Sequence, residues 1–597
     1  MPHSSCQPVH TFHIPVMGTG FTIDTPIHVA QYGISSVISL VDDVLIEQMR
    51  KHHTGRAGEE YHEIRDGDPD SRARRITEYL NLIDRIVKKQ VDAVRKAPFE
   101  TGSVITRYFE MLPDGELKHN YLTMLSTGNP EDKARMQDNL RNCIVPGSID
   151  VNIMTKLDCD HYQNGEKLPS EYSDAKSALR GFANSSLNSS IVCSAGMNRG
   201  FYAYMANFDD FYPGADGLLK KKIVLKVSDY RSAEVQGAFL AKRCLWVSEY
   251  RIESGLNCGG HAFATKGLLL GPIMDKFREK RHVLIDKLFG MYTAALQKIG
   301  RPDVSAPFDT KITVQGGIGS ASENESLFKY YHVDGTGWCT PFLLVPEVVN
   351  VDEIHLRKIA EAGPDNVYLS ASSPMGIPFW NLRNSASEEI RRKHIREGRP
   401  GSICRKSYLK LDTEITDLPV CRASAAYQRR RLNLLENENL TPEQYRVKKE
   451  NILNKSCICH DLAGGATIRY GIDPDANTAV CCGPNIANFS KIASLQEMVD
   501  HIYGRTSLLS NKNRQHMFIN ELMIYIDYLR NEYEVSSADM TQRTMDYLTE
   551  FKGNLLNGIE YYKVFADDYI ETKKEAFLEE LNELKIELET IQLEPAV

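Results

Sequence analysis

Three glycine-rich strings and a set of late cysteines hold the residues whose types and spacing suit chemistry. Gly255-Leu256-Asn257-Cys258-Gly259-Gly260-His261 follows an apolar run that begins at Cys244. Adjacent glycines let a backbone approach a planar ligand, and the imidazole that follows enters the same space. Val314-Gln315-Gly316-Gly317-Ile318-Gly319 reads as a strand, a turn and a helix beginning near Ser320. Amides freed by glycine and aimed from a helix start form an anion site. Further on, Asp334-Gly335-Thr336-Gly337-Trp338-Cys339-Thr340-Pro341-Phe342 is another strand, ending in small and hydroxyl-bearing residues. The first two strings, taken alone, also read as ligand-free turns.

The cysteines offer a second chemistry. Cys457-Ile458-Cys459-His460 and the pair Cys481-Cys482 bring four thiols and an imidazole together in sequence. Such a set suits zinc or an iron–sulfur cluster, with Cys404 and Cys421 as further ligands. Against this, Cys-x-Cys is not the usual Cys-x₂-Cys clip, and buried free cysteines behave as small apolar residues. Both readings stand at this stage. His52, His53 and His62 form a cluster in a charged helical stretch, where histidines are mostly solvated.

These residues need a scaffold to bring them together. Ile14-Pro15-Val16, Ile34 to Leu40, Ile149 to Ile153, Ser190 to Ser194, Ile223 to Val227, Cys244 to Val247, Ile312 to Val314 and Val333 to Phe342 are eight strand candidates, several separated by helix-compatible sequence. That count fits a closed parallel (β/α)₈ barrel within residues 1–350 better than an open sheet, although spacing alone leaves both open, and in barrels a phosphate commonly lies between the loops after the seventh and eighth strands. Residues 51–140 break the rhythm. There Ile76, Tyr79, Leu80, Ile83, Ile86, Val87 and Val94 are spaced for one apolar helix face, which predicts a helical insertion and suggests a lid. Residues 351–597 are expected to be mainly helical and to end in an amphipathic helix carrying Phe577, Leu578, Leu581, Leu584, Leu588 and Ile591. That helix is expected to pack or self-associate, which leaves a homo-oligomer open.

Composition narrows the field. With 42% hydrophobic and 25% charged residues over 597 positions, the chain is globular. A net charge of −8 does not attract a phosphate backbone, so nucleic acid is not expected as a partner. No apolar run is long enough to span a membrane and the first thirty residues lack a signal-peptide pattern, so the expected location is the cytoplasm. Thirteen cysteines scattered through such a chain favour free thiols or a metal site over disulfides.

Taken in order, the Gly-x-x-x-Gly-Gly-His string, the strand-Gly-Gly-Ile string and the Asp-Gly-x-x-x-x-Thr-x-Phe string resemble the nitronate monooxygenase (2-nitropropane dioxygenase-like) group of FMN-binding barrels. FMN-type enoyl-acyl-carrier-protein reductases belong to that group. The resemblance spans residues 12 to 345 and implies an FMN-dependent oxidoreductase. By position it makes His261 the active-site acid or base, Gly259 and Gly260 the backbone beside the flavin, and Gly316, Gly317 and Thr340 the phosphate contacts. Asn152 matches the family's asparagine near the flavin, and Gly18, Thr19, Gly20, Lys226 and Cys339 complete the implied cofactor-binding set. Three departures leave the substrate undefined: Met17-Gly18-Thr19-Gly20 replaces Gln-x-Pro-Met, Asn257-Cys258 replaces Glu-Ala, and Cys339-Thr340-Pro341 replaces Gly-Thr-Arg.

The segment from Cys482-Gly483-Pro484-Asn485 to Phe489 is similar to one in the tail of polyunsaturated fatty acid synthase enoyl reductase subunits, which append a helical region to an FMN barrel. Three functions follow as expectations. The first is a nitronate-oxidising or quinone-reducing enzyme acting on a small molecule. The second is an enoyl reductase that uses NAD(P)H and an acyl substrate. The third is a barrel that has lost its cofactor and serves as a scaffold.

Overall fold

The computed structural model describes residues 9–163, 166–194, 196–302, 304–537, 540–570 and 574–593. Eight short strands form a closed barrel: β1 (Phe12–Ile14), β2 (Ser35–Ser39), β3 (Ile149–Ile153), β4 (Ser189–Cys193), β5 (Lys221–Val227), β6 (Val247–Glu253), β7 (Lys311–Gln315) and β8 (Gly335–Gly337). Each pairs in parallel with its neighbours in sequence order, and β8 closes on β1, with Thr336 opposite Phe12. A strand buried on both faces needs apolar residues inside and out. Val37, Val192 and Val224 accordingly form a separate cluster with Val16, while Ile14, Val151, Ile191, Leu225, Ile252 and Val314 belong to the outer core.

Most strands differ from their sequence-predicted spans by a residue or two. The eighth is shorter than Val333 to Phe342, because Thr340–Leu344 coils into a 3₁₀ helix after Gly337. The sixth is displaced, because Cys244 takes a left-handed φ of 60° and the strand proper starts only at Val247. The apolar run Cys244 to Val247 ends just before the charged residues begin at Glu249. Glu249, Arg251 and Glu253 continue the strand nonetheless, since alternate side chains of a barrel strand face its interior and can pair there.

The predicted insertion is five helices, beginning with Asp43–Ala57 and ending with Pro130–Asn142. The helix Ser71–Lys96 buries Ile76, Tyr79, Leu80, Ile83, Val87 and Val94 of the face read from the spacing, while Ile86 is half-buried. Each such side chain contributes about 1.5–3 kcal/mol on burial. Tyr79 also donates its hydroxyl to the Ile23 carbonyl at 2.9 Å. The insertion therefore flanks the barrel: none of the described residues of 51–140 lines the cavity at the strand ends, so the suggested lid is not formed there.

After residue 350 the chain is mainly helical, with one exception that the sequence reading passed over: β9 (Val367–Ser370) pairs antiparallel with β10 (Phe379–Leu382). The last helix, Lys574–Thr590, buries Phe577, Leu581, Leu584 and Leu588, and packs within the chain against helices Gln542–Tyr569 and Met517–Ser536. Among the described residues no helix is long and apolar enough to cross a membrane.

Candidate functional site

A cavity opens at the C-terminal ends of the barrel strands, where the loops that follow each strand converge. Most residues singled out in the sequence meet on its wall: Gly18, Thr19, Asn152, Lys226, Gly259, Gly260, His261, Gly316, Gly317, Cys339 and Thr340. Gly20 does not. Its amide donates to the Leu462 carbonyl at 3.1 Å, and a Cβ on it would lie 2.9 Å from Ala463 Cα. Its small size serves a close approach of the C-terminal region.

The glycine turns are dictated by backbone geometry. Gly316 and Gly317 have φ of 111° and 79°, and Gly260 also has 79°. A Cβ on Gly317 would lie 2.2 Å from Asn257 Nδ2, and one on Gly316 2.5 Å from Cys258 Sγ. The two glycine strings thus pack against each other, bringing the His261 loop and the β7 turn into one wall.

The polar groups of the cavity fall into two kinds. Lys226 Nζ meets Glu253 Oε1 at 2.8 Å, and Gln315 Nε2 donates to the same oxygen at 2.7 Å. Below them Arg251 pairs with Glu249 at 2.8 Å, and Thr313 donates to Glu249 at 2.5 Å. These charges are matched inside the barrel. By contrast, Thr19 Oγ1 and Asn152 Oδ1 are sealed from solvent and take no hydrogen-bond partner among the described residues. Buried polar atoms are rarely left so, and two on the wall of one cavity fit a site that a polar ligand completes.

His261 is held by chain far away in sequence. Ala262 donates its amide to the Pro378 carbonyl and Trp380 to that of Gly260, both at 2.9 Å, so the loop is bridged to β10. The imidazole Nε2 lies 2.7 Å from Ser373 Oγ, and the ring meets Phe379 edge-on. Burial, with Lys156 and Lys226 adding like charge, pushes the imidazole down to about 4 from its ordinary value near 6.5. The ring is therefore neutral at physiological pH.

The remaining walls are apolar, with Met154, Phe263, Met375, Ile377, Phe379 and Leu462 among them. Lys156 stands on this wall with Nζ 4.2 Å from the Phe263 ring centre. Burial lowers its ammonium from the usual lysine range. Sequence reasoning missed Lys156, Glu253, Arg251 and Ser373. The alternation Glu249, Arg251, Glu253 on an otherwise apolar strand was a usable signal for the inward charges. Ser373 had none, since nothing local ties it to His261.

The late cysteines are divided. Cys481 lines the cavity beside Gly260, and Cys482 is buried in the main core. Cys457 and Cys459 lie with Cys421 in a smaller apolar cluster, with Cys404 and Cys481 packed against it. All are free thiols, and burial pushes Cys481 up to about 11. Among the described residues no group of three or more histidines, cysteines or carboxylates is arranged to hold a metal ion. Of the three clustered histidines His53 is buried rather than solvated: its Nε2 meets the buried Asp24 at 3.0 Å, and Tyr470 donates to the same carboxylate at 2.6 Å, whereas His62 is exposed.

No family model matches the chain, and no curated protein is detectably similar in sequence. Among solved structures, it is similar to the enoyl reductase domain of MlnA from the macrolactin biosynthesis cluster of Bacillus amyloliquefaciens. The identity is 13%, over 73% of this chain and 89% of that one, with a TM-score of 0.32. The barrel assignment itself rests on the strand order described above.

Proposed function

We propose that the chain is an FMN-dependent oxidoreductase whose redox site is the cavity at the strand ends. The observation that carries this reading is the pair of unpartnered buried oxygens, Thr19 Oγ1 and Asn152 Oδ1, on a wall largely built of glycine turns and apolar side chains. A flat heterocycle with a polar edge and an anionic tail suits that combination.

In this reading the turn Gly316-Gly317 and the Thr340 hydroxyl receive the phosphate, as the loops after the seventh and eighth strands do in other barrels. Asn152 and Thr19 would meet the polar edge of the ring system. Lys226, oriented by Glu253, supplies positive charge beside it. When bound, FMN supplies hydride transfer. The protein excludes water with its apolar wall and orients the substrate against His261, whose neutral ring forms hydrogen bonds without carrying a charge into the cavity.

Two substrate classes suit this site, nitronates and enoyl thioesters. The extended apolar wall from Met154 through Phe263 to Met375 and Ile377 favours an acyl chain, with NAD(P)H as the electron donor. The test is spectral. The purified protein, alone or after incubation with FMN, is expected to show flavin absorption bands and to release FMN on heating. A colourless protein that fails to take up added FMN would overturn the reading. Given the flavin, turnover of enoyl thioesters with NAD(P)H, compared with nitronates and quinones, separates the substrate classes.

A further inference from the structure

Ser373 lies 112 residues beyond His261, in the segment between β9 and β10 that crosses the His261 loop. Its side chain is fully buried, with 0% exposure. Its Oγ stands 2.7 Å from His261 Nε2 and also accepts the Met375 amide at 3.3 Å. A buried hydroxyl must place its own proton on an acceptor. Among the described residues the acceptor within its reach is His261 Nε2. The serine therefore donates and the imidazole nitrogen accepts.

A neutral imidazole that accepts at one nitrogen carries its proton on the other. Here that is Nδ1, which takes no hydrogen-bond partner among the described residues and belongs to a ring that lines the cavity. Were Nε2 the protonated atom instead, the Ser373 proton would be left in a sealed position with nothing to receive it. That arrangement costs about 1–3 kcal/mol.

We propose that Ser373 is a positioning residue that holds His261 as the Nδ1–H tautomer, so that the ring offers the cavity a hydrogen-bond donor rather than a base. The inference rests on the reading of this cavity as a redox site and refines it. A neutral imidazole surrenders its remaining proton only in strongly basic solution, so His261 does not transfer that proton. It stabilises by hydrogen bonding an oxygen that becomes negative as the substrate reacts. The substrate is then one whose charge collects on oxygen next to the reacting carbon, such as the carbonyl oxygen of a thioester or an oxygen of a nitro group. The cations facing the ring, Lys156 after β3 and Lys226 on β5, favour the same anion and oppose protonation of the ring.

The test is made on the full-length protein labelled with ¹⁵N-histidine, using long-range proton–nitrogen correlation, with His261 assigned by its loss in His261→Gln. The expected result is an Nδ1–H tautomer that stays neutral from about pH 5.5 to 8.5. Ser373→Ala is expected to abolish the tautomer preference, and Ser373→Thr, which keeps the hydroxyl, to retain it. An Nε2–H ring in the unmodified protein, titration near the ordinary histidine value, or an unchanged tautomer in Ser373→Ala would each overturn the proposal. If Ser373→Ala does not fold, the unmodified protein and Ser373→Thr still decide the matter.

A second readout is kinetic. Ser373→Ala should lower kcat about 10- to 100-fold with little change in KM and no new pH dependence. The two levels separate cleanly. The expected tautomer in a protein that binds no FMN would remove the redox reading and leave the Ser373–His261 arrangement standing, whereas the wrong tautomer in a flavoprotein would do the reverse.

Discussion

Arg514 and Glu323 meet at 2.5 Å across 191 residues of sequence, with side-chain exposures of 5% and 3%. Glu323 closes the capping box at the start of helix Ala321–Lys329, accepting the amides of Gly319 and Ser320. It also accepts the Met517 amide at 2.7 Å, while Arg514 donates to the Gly317 carbonyl at 2.7 Å. One ion pair thus ties the start of helix Met517–Ser536 to the Gly316-Gly317 turn, proposed above to receive a phosphate. Thr340 is drawn in the same way, since Gly483 donates its amide to the hydroxyl at 3.1 Å.

Arg514→Met leaves the buried Glu323 carboxylate without its cation. A loss of roughly 3–5 kcal/mol in unfolding free energy is expected, read from urea denaturation. FMN affinity should fall too, because the Gly317 turn loses its brace. Wild-type stability in this variant would show that the pair is dispensable.

Gly317→Ala forces a side chain onto a left-handed backbone and into Asn257. The backbone cost alone is about 1–2 kcal/mol. The larger expected effect is at least a tenfold loss of FMN affinity, since the displaced turn is the one proposed to bind phosphate. A fluorescence titration with FMN measures this directly.

Stability should fall as pH rises from the acid range toward neutrality. Glu521, fully buried, accepts hydrogen bonds from Ser254, Leu270 and Tyr562, yet burial pushes its carboxyl up to about 7 from the ordinary 4.5. The folded state holds the proton more tightly than the unfolded one. Its stabilising contribution is therefore complete below about pH 4.5 and is lost as pH rises to about 7, a change of roughly 3 kcal/mol. Glu521→Gln should remove most of this slope between pH 5 and 8, as followed by thermal unfolding. Parallel Tm curves for the two proteins would count against it.

A second group acts in the opposite direction. His10 Nε2 donates to the Tyr32 carbonyl at 3.1 Å, which leaves Nδ1 of the neutral ring to accept from the Tyr503 hydroxyl at 2.8 Å, and burial holds the imidazole down to about 4. Folding disfavours its protonated form, so stability is intact above about pH 6.5 and lost as pH falls toward 4, by roughly 3 kcal/mol. His10→Gln should flatten this acid limb. His261 belongs to the same class, so a double variant should flatten it further.

The barrel was legible in the sequence because each strand is a local apolar run, and the Gly-Gly-His and Gly-Gly-Ile strings were legible because left-handed turns select glycine. Strand β6 was read short, since the rule that charge ends a strand fails where charges pair inside a barrel. Gly20 was grouped with Gly18 and Thr19 by proximity, although its neighbour is Ala463, more than four hundred residues later.

The sequence by itself determined the periodicities, hence the strand order, the helical insertion and the conformation of the glycine turns, because these follow from the preferences of a few adjacent residues. It could not determine what faces those turns. The partners of His261, Thr340 and Glu323 are Ser373, Gly483 and Arg514, all from the region beyond the barrel. Contacts of that kind depend on where distant segments pack, and only the tertiary structure decides them, because the burial that makes each contact specific exists only once the chain has closed around it.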